Sequence, residues 1–149
     1  MKIRVQSEPL SPWGLLADYE AQLISSHGSG KYGASAVFVG SMRDLNEGDA
    51  VQGMYLEHYP GMTEKVLQGM AEAISREWNL IDLLLAHRVG DLHPGEPIVL
   101  VAVWSAHRKA AFEACRALME TLKSQAPFWK REHLTDGSQR WVEKNTAGY

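Results

Sequence analysis

The sequence predicts an α+β fold with a ferredoxin-like βαββαβ core, an extra N-terminal strand and a C-terminal β-hairpin. Two segments repeat apolar residues every three or four positions, which is typical of amphipathic helices, and nearly continuous apolar runs flank them, which is typical of buried strands. Their order along the chain is strand, helix, strand, strand, helix, strand, the order of the split βαβ plan. A chain of 149 residues suits one such domain, residues 1–149.

The first half of the chain holds the extra strand, the first core strand and the first helix. Residues 25–33, SSHGSGKYG, predict a mobile loop because Gly and Ser favour turns. ASAVFVG, 34–40, is rich in small and β-branched residues and is predicted as the extra strand. VQGMYLEHY, 51–59, is predicted as the first core strand, which Pro60-Gly61 ends. The helical spacing then runs through 62–78.

The second half completes the core. Residues 80–90, LIDLLLAHRVG, predict a buried strand, and 98–104, IVLVAVW, predict the strongest strand of the chain. A second helix is predicted over 106–124, followed by an extended segment, 128–134. DGS and QRWVE, 136–143, predict a turn and a returning strand. The apolar side of the second helix comprises Ala111, Phe112, Cys115, Leu118, Met119 and Leu122.

Composition excludes several classes of function. The net charge of −3 disfavours a long polyanion as partner, whereas six Lys/Arg against two Glu within residues 105–131 favour a small anionic ligand. The single cysteine, Cys115, cannot form an internal disulfide, so we expect a cytoplasmic protein. Cys and His show no zinc spacing, residues 1–10, MKIRVQSEPL, lack the apolar run typical of a signal peptide, and no apolar run reaches membrane-spanning length.

Two lysines flank a rigid aromatic elbow, Pro127-Phe128-Trp129. Lys123 is predicted on the rim of the apolar helix face, where a half-buried amine would have a lowered pKa and serve as base or nucleophile. The ordinary interpretation, which we favour from the residues alone, is a lysine whose stem covers core atoms while its amine reaches water. Lys130 shares a strand face with Phe128, and Pro127 holds Ala126 extended. The spacing permits the two amines to converge.

Further cations stand where loops and helices begin. Ser105 is predicted as the N-cap of the second helix, with His107 and Arg108 in its first turn. A cation there opposes the helix dipole, and an anion bound to the free N–H groups would compensate. Arg43 follows a strand end, where Asp44 is an alternative ion-pair partner. Two arginines, a histidine and two lysines, walled by Phe38 and Phe128, would suit a flat phosphorylated molecule.

Other conspicuous residues have plainer interpretations. Cys115 is predicted as a buried, unreactive thiol. The histidines without metal spacing are interpreted as structural or surface residues, and the tryptophans as core or interface anchors: His58, His87 and His93, and Trp13, Trp78, Trp104 and Trp141.

Three segments together resemble the catalytic (large) subunit family of molybdopterin synthase: GSMRDLNEGDAVQGMYLEHYPGMTEK, HRVGDLHPGEPIVLVAVWSAHRKAAFEA, and LKSQAPFWKRE with RWVE. The resemblance spans residues 33–143 and is specific, because the SAHR and KxxxPFWKRE elements occur together in this order. The segment before Gly33 matches poorly, the loop after Lys130 is about one residue longer than in relatives, and the tail is shorter than in some of them.

The resemblance implies an α/β-hammerhead-type fold and a sulfurtransferase reaction in molybdenum cofactor biosynthesis. The family converts cyclic pyranopterin monophosphate, also called precursor Z, into molybdopterin. The sulfur comes from a thiocarboxylate on the C-terminal Gly-Gly of a small ubiquitin-like subunit, whose tail enters a pocket of the large subunit. The family assembly is a heterotetramer around a homodimer of large subunits, and the sulfur transfer requires no metal or other cofactor.

The resemblance also implies roles for single residues. Lys123 matches the principal catalytic lysine and Lys130 the second. Arg140 matches a basic position that serves the neighbouring subunit's site. The remaining substrate-binding positions that match are Phe38, Ser41, Met42, Arg43, His107, Arg108, Arg131 and Glu132.

Other classes of function share this plan. A non-catalytic ferredoxin-like module could hold the same anion without turnover. An RNA-binding module would need aromatic residues on central strands in a basic surround, and IVLVAVW is too apolar for that. An acylphosphatase-like enzyme would need a phosphate-binding loop near the N-terminus, which this sequence lacks.

Overall fold

The computed structural model describes residues 1–46 and 48–142. Within these residues the chain forms three helices and nine strands. The helices are α1 (Pro12–His27), α2 (Met62–Glu77) and α3 (Arg108–Gln125). The strands are β1 (Lys2–Gln6), β2 (Ala34–Ser41), β3 (Leu45–Asn46), β4 (Asp49–His58), β5 (Asp82–Arg88), β6 (Gly90–Leu92), β7 (Pro97–Ser105), β8 (Phe128–Leu134) and β9 (Gln139–Trp141).

The strands form two sheets. The first has the order β1-β5-β7-β2, in which β1 is parallel to β5 and the other pairs are antiparallel. Its centre is the most apolar part of the sequence, since every residue from Leu83 to Arg88 and from Val99 to Ser105 is buried. The second sheet has the order β3-β4-β8-β9, and β6 pairs with β4 on the edge opposite β8.

The buried side chains form three packed clusters, two on the faces of the first sheet and one in the second sheet. Helices α2 and α3 cover one face, where their predicted apolar sides meet alternate residues of β5 and β7. Helix α1 covers the other face, with Tyr19 and Leu23 against Trp104. A third cluster, around Met54, Leu56 and Leu92, lies in the second sheet. Phe128 packs against the first and third clusters, so it stands at the junction of the two sheets.

The predicted α+β class and the predicted order of the six core elements are confirmed. Two pairings of the ferredoxin-like plan are present, β4 with β8 and β5 with β7. The plan would also join β4 to β7, but both edges of β7 are occupied, by β5 and by the extra strand β2. The core is therefore divided between two sheets in the part of the chain that the structure describes.

The C-terminal hairpin is confirmed as the pair β8 and β9, with Glu132 opposite Arg140. The last residue of the predicted returning strand, Glu143, and the tail 144–149 lie outside the described residues. The N-terminal segment departs from the prediction, because β1 and α1 were not foreseen. Helix α1 ends at His27 and thus takes in the first three residues of the predicted mobile loop.

Two helix details also differ from prediction. Phe112 was placed on the apolar side of α3, but its side chain is 68% exposed, because the buried side turns toward Ala111, Ala114 and Cys115. The N-cap of α3 is His107, not Ser105. Ser105 ends β7 instead, and its Oγ accepts a hydrogen bond from the His107 N–H at 3.3 Å. No helix in the described ranges is both long and apolar enough to cross a membrane.

Candidate active site

A cavity of about 260 Å³ opens where the C-terminal end of α3 meets the second sheet. Its wall is mixed: apolar side chains from both sheets form most of it, and a few charged groups interrupt them. The cavity lining includes Phe38, Ser41, Met42, Arg43, His87, Met119, Lys123, Phe128, Lys130 and Glu132.

The aromatic elbow brings two lysines to this cavity. Helix α3 ends at Gln125, and Ala126 has φ −67° and ψ 134°, the extended conformation that a following proline favours. Phe128 then begins β8 in a new direction. Lys123, in the last turn of α3, and Lys130, on β8, both line the cavity, so the convergence that the spacing permitted is present in the structure.

The two lysines differ in environment. Lys123 is predicted on the rim of the apolar helix face, with an amine that either reaches water, the favoured interpretation, or is half-buried. Its side chain is exposed in the last turn of α3. Lys130 is the half-buried one. Burial lowers the pKa of Lys130, the nearby Lys123 cation lowers it further, and the Glu132 carboxylate partly offsets both effects. An amine with a lowered pKa can exchange protons near neutral pH more readily than an ordinary lysine.

Glu132 is a buried carboxylate with a full set of partners. It is 5% exposed, and its Oε2 accepts from Arg140 Nε at 2.9 Å while Asn46 Nδ2 donates to its Oε1. Arg140 also donates to Asp49 Oδ2 at 2.8 Å and to the Asn46 carbonyl at 3.0 Å. Arg140 does not itself line the cavity of its own chain; it fixes a carboxylate that does.

Arg131 faces away from the cavity. Successive side chains of a strand point to opposite faces, so Phe128, Lys130 and Glu132 share one face of β8 and Arg131 takes the other. Its guanidinium lies between the rings of Tyr55 and Trp141, 5.4 and 5.6 Å from their centroids. The structure thus separates Arg131 from the group of residues with which the sequence had placed it.

The rim of the cavity is formed by the end of β2 and the loop after it. Phe38 is 41% exposed, whereas Met42 is buried and its N–H donates to the Glu96 carbonyl at 2.9 Å. That hydrogen bond fixes the backbone between Ser41 and Arg43, whose exposed guanidinium is beside the opening. These four predicted substrate-binding residues therefore gather at one edge of the same cavity.

His107 and Arg108 do not reach this cavity within one chain. They begin α3, and Lys123 follows Arg108 by fifteen residues, which at 1.5 Å per residue is about 22 Å of helix. Both are exposed. The hypothesis of one pocket with two arginines, a histidine and two lysines is therefore incomplete for a single chain, which supplies Arg43 and the two lysines.

The sequence predicts only a structural or surface role for His87, whereas the structure places it in the cavity wall. It is 5% exposed on β5, and its ring stacks on that of Phe128 with centroids 4.1 Å apart and planes 18° apart. Burial lowers its pKa to about 4, against the hydrogen bond to the Arg88 carbonyl and together with repulsion from Lys130 and His58. The sequence feature that could have identified His87 is a histidine within a predicted buried strand that is otherwise mostly apolar.

Two predictions concern reactive groups, namely the thiol of Cys115 and a possible metal site. Cys115 is buried, as predicted, and burial raises the pKa of its thiol to about 11, which disfavours the reactive thiolate. No cluster of three His, Cys, Asp or Glu suited to a metal ion occurs in residues 1–46 and 48–142. The cavity can therefore offer apolar walls, two amines and a guanidinium to a flat anionic ligand.

Comparison with known proteins relates this geometry to a family. Residues 6–125 match the family described as MoaE protein, so the similarity begins well before Gly33, where the motif resemblance started. A molybdopterin synthase catalytic subunit from Pseudomonas aeruginosa is 49% identical over 143 residues, 96% of this chain and 91% of that protein.

Solved structures give the same relationship. The crystal structure of molybdopterin synthase from Staphylococcus aureus aligns with a TM-score of 0.81 and 30% identity, over 95% of this chain and 98% of that chain. A chain from the complex of subunits 1 and 2 of molybdopterin-converting factor from Helicobacter pylori has the same fold, with a TM-score of 0.77 and 22% identity over 97% and 92% of the two chains.

Proposed function

The chain belongs to the MoaE protein family, and from this premise we propose that it is the catalytic subunit of a molybdopterin synthase. Its reaction is sulfur transfer from the C-terminal thiocarboxylate of a small ubiquitin-like subunit to cyclic pyranopterin monophosphate, which forms the dithiolene of molybdopterin. The observation that supports this best is the convergence of Lys123 and Lys130 on one largely apolar cavity with Arg43 at its rim.

The proposed chemistry uses these groups as follows. The thiocarboxylate sulfur forms the new carbon–sulfur bond on the pterin, and water then cleaves the acyl–sulfur bond, so the carrier leaves as a carboxylate. Two carriers supply the two sulfurs, and each sulfur replaces an oxygen on carbon. One oxygen stays with the phosphate, which becomes a monoester as its ring opens, and the other leaves as water. Lys123 and Arg43 would stabilise the developing negative charge. Lys130, whose pKa is lowered by burial, would move protons between these steps.

The partners of this reaction are proposed on the family resemblance. They are the small sulfur-carrier subunit with its C-terminal Gly-Gly, the pterin substrate, and a second copy of this chain. The H. pylori protein of the same fold was solved as a complex of two subunits. No metal or other cofactor enters the proposed sulfur transfer, and the cytoplasm remains the expected compartment.

A second copy would also account for the residues that lie far from the cavity. We propose that His107 and Arg108, at the start of α3, bind the anionic substrate in the pocket of the neighbouring subunit. Ser41, Met42 and Phe38 would hold the pterin in the chain's own pocket, and Glu132 would keep its strand in place through its bond to Arg140. Arg131, whose guanidinium lies between two aromatic rings, would not contact the substrate and would only stabilise the conformation of β8.

Single-turnover sulfur transfer tests the proposal. The chain is mixed with thiocarboxylated small subunit and cyclic pyranopterin monophosphate, and molybdopterin is followed by fluorescence after oxidation. We expect product from the wild type, and a rate at least about 100-fold lower in Lys123→Ala and in Lys130→Ala, since positioned acid–base groups typically contribute that much. Lys65→Ala removes an exposed lysine of α2 away from the cavity and should retain the wild-type rate.

The outcomes separate the alternatives. No product from the wild type, with the two subunits demonstrably bound to each other, would favour a non-catalytic anion-binding module. Product at the wild-type rate from Lys123→Ala would keep the synthase but return this lysine to the ordinary interpretation, in which its stem only covers core atoms.

A further inference from the structure

His87 joins the two sheets at the cavity. It belongs to β5 of the first sheet, where it pairs with Val5 and Val99, whereas Phe128, on which its ring stacks, begins β8 of the second sheet. Phe128 and Lys130 share one face of β8 and both line the cavity. The stack is therefore a fixed contact from the first sheet to the strand that carries Lys130.

The ring of His87 is held in one orientation and one protonation state. Its Nδ1 lies 2.8 Å from the Arg88 carbonyl oxygen, and because a carbonyl only accepts, Nδ1 must carry the proton. Burial keeps the pKa of the ring near 4, so the ring is uncharged at neutral pH. The His87 ring, like the Phe128 ring on which it stacks, can therefore lie beside the amine of Lys130 without adding another positive charge.

The charged groups around this ring come from several elements. Lys130 on β8 and His58 on β4 repel its protonated form. Lys123 at the end of α3, Arg43 after β2, and Glu132 on β8 line the same cavity. Because Lys130, Lys123 and Arg43 are all cations, an uncharged aromatic side chain suits this position better than a further cation would.

From this arrangement we infer that His87 is a positioning residue of the site: its uncharged ring, stacked on Phe128, fixes the start of β8 so that the amine of Lys130 stays inside the cavity. The inference rests on the proposed function for its catalytic consequence. Its structural part, the environment of Lys130, can be measured without any substrate.

The first measurement is the pH dependence of chemical labelling at Lys130 in the intact chain. Reductive methylation is followed by peptide mass spectrometry, with the exposed Lys31 and Lys65 as internal references. In His87→Ala the midpoint of Lys130 labelling should move up toward that of an ordinary lysine, because water enters beside the amine. In His87→Phe, which keeps a ring that can stack, the midpoint should remain near the wild-type value.

A second variant removes the stack from the other side. Phe128→Leu keeps His87 and should raise the Lys130 midpoint as His87→Ala does, so the inference remains testable if His87→Ala does not fold. An unchanged midpoint in a folded His87→Ala or Phe128→Leu protein would overturn the inference. A shift in His87→Phe as large as that in His87→Ala would also overturn it, since the ring nitrogens and not the stack would then be responsible.

The second measurement is steady-state sulfur transfer. His87→Ala should lower kcat by about tenfold to a hundredfold, in keeping with the cost of small misplacements of a reacting group, and leave KM nearly unchanged. His87→Phe should restore most of kcat. Raised KM with unchanged kcat in His87→Ala would contradict a role in positioning Lys130. Failure of the wild type to transfer sulfur would overturn the proposed function, whereas the labelling result would stand separately.

Discussion

At the scale of single residues, desolvation distinguishes groups that the sequence makes look alike. Lys123 and Lys130 flank the same elbow, yet only Lys130 is half-buried, and burial is the largest cause of its lowered pKa. Lys123 stands exposed at the helix end, a short distance away. A pair in which one amine is exposed and the other desolvated can divide the tasks of charge stabilisation and proton transfer, as acid–base pairs in enzymes commonly do.

The buried histidine predicts a pH dependence of stability. The folded pKa of His87 is about 4, below its ordinary value of 6.5, so the unfolded chain binds a proton that the folded chain does not. The folded state is therefore favoured above pH 6.5, and this contribution is lost as pH falls toward 4. Complete loss corresponds to about 3 kcal/mol at 1.36 kcal/mol per pKa unit.

Urea denaturation between pH 7 and pH 4 measures this effect. The free energy of unfolding of the wild type should fall more steeply over that range than that of His87→Phe, which cannot bind the proton. Carboxylates with lowered pKa, such as Glu96, contribute equally to both proteins and cancel in the difference. Parallel curves for the two proteins would show that His87 does not titrate in this way.

At the scale of elements, the helices and strands that the sequence predicts best are those whose apolar pattern fits only one kind of surroundings. The continuous apolar runs of β5 and β7 were predictable because both faces of these strands are buried, and the two amphipathic helices because each buries one face. Strand β1 and helix α1 were not. Most residues of α1 are exposed, and exposed apolar side chains such as Trp13 and Ile24 obscure the buried face that carries Leu16, Tyr19 and Leu23. The division into two sheets could not be foreseen either, because it depends on β2 occupying the edge of β7, a non-local contact.

The turn between β7 and α3 depends on the absence of a side chain at Gly33. The Gly33 N–H donates to the Ser105 carbonyl at 3.0 Å, and a Cβ at Gly33 would lie 2.4 Å from the Ala106 carbonyl oxygen. Backbone cannot rotate aside as a side chain can, so Gly33→Ala should destabilise the fold by about 1–3 kcal/mol. For a chain of this size that is a fall in Tm of about 2–12 °C in thermal denaturation.

A matched substitution checks the cause. Gly69 lies inside α2, and a Cβ there meets nothing within 4 Å. Gly69→Ala should leave Tm unchanged or raise it, because alanine is favoured over glycine in helices by up to about 1 kcal/mol. Equal Tm values for Gly33→Ala and the wild type would mean that the turn relaxes without cost. In that case the position of His107, two residues beyond Ser105, would not depend on this contact.

At the scale of the whole molecule, the predicted site residues fall into groups that one chain cannot unite. Motif spacing found the residues at the cavity, since Phe38, Ser41, Met42, Arg43, Lys123, Lys130 and Glu132 all line it. Motif spacing did not take account of the predicted helix over 106–124, which at 1.5 Å per residue already separates His107 and Arg108 from Lys123 by about 22 Å. Nor could it find His87, which reaches the cavity from the opposite sheet.

If the start of α3 serves the neighbouring subunit, activity should depend on how substitutions are distributed between two chains. A mixed dimer of Lys123→Ala and Arg108→Ala would then have one pocket that lacks both residues and one intact pocket. Two inactive chains refolded or co-expressed in equal amounts should regain about a quarter of wild-type sulfur transfer, because half of the dimers are mixed and each has one intact site of two. Lys123→Ala mixed with Lys130→Ala is the control: both lysines line the same chain's cavity, so every pocket lacks one and no activity should return. Equal inactivity of both mixtures, with mixed dimers verified by mass, would place Arg108 in its own chain's site, and the separation along α3 would then have no role in assembling the pocket.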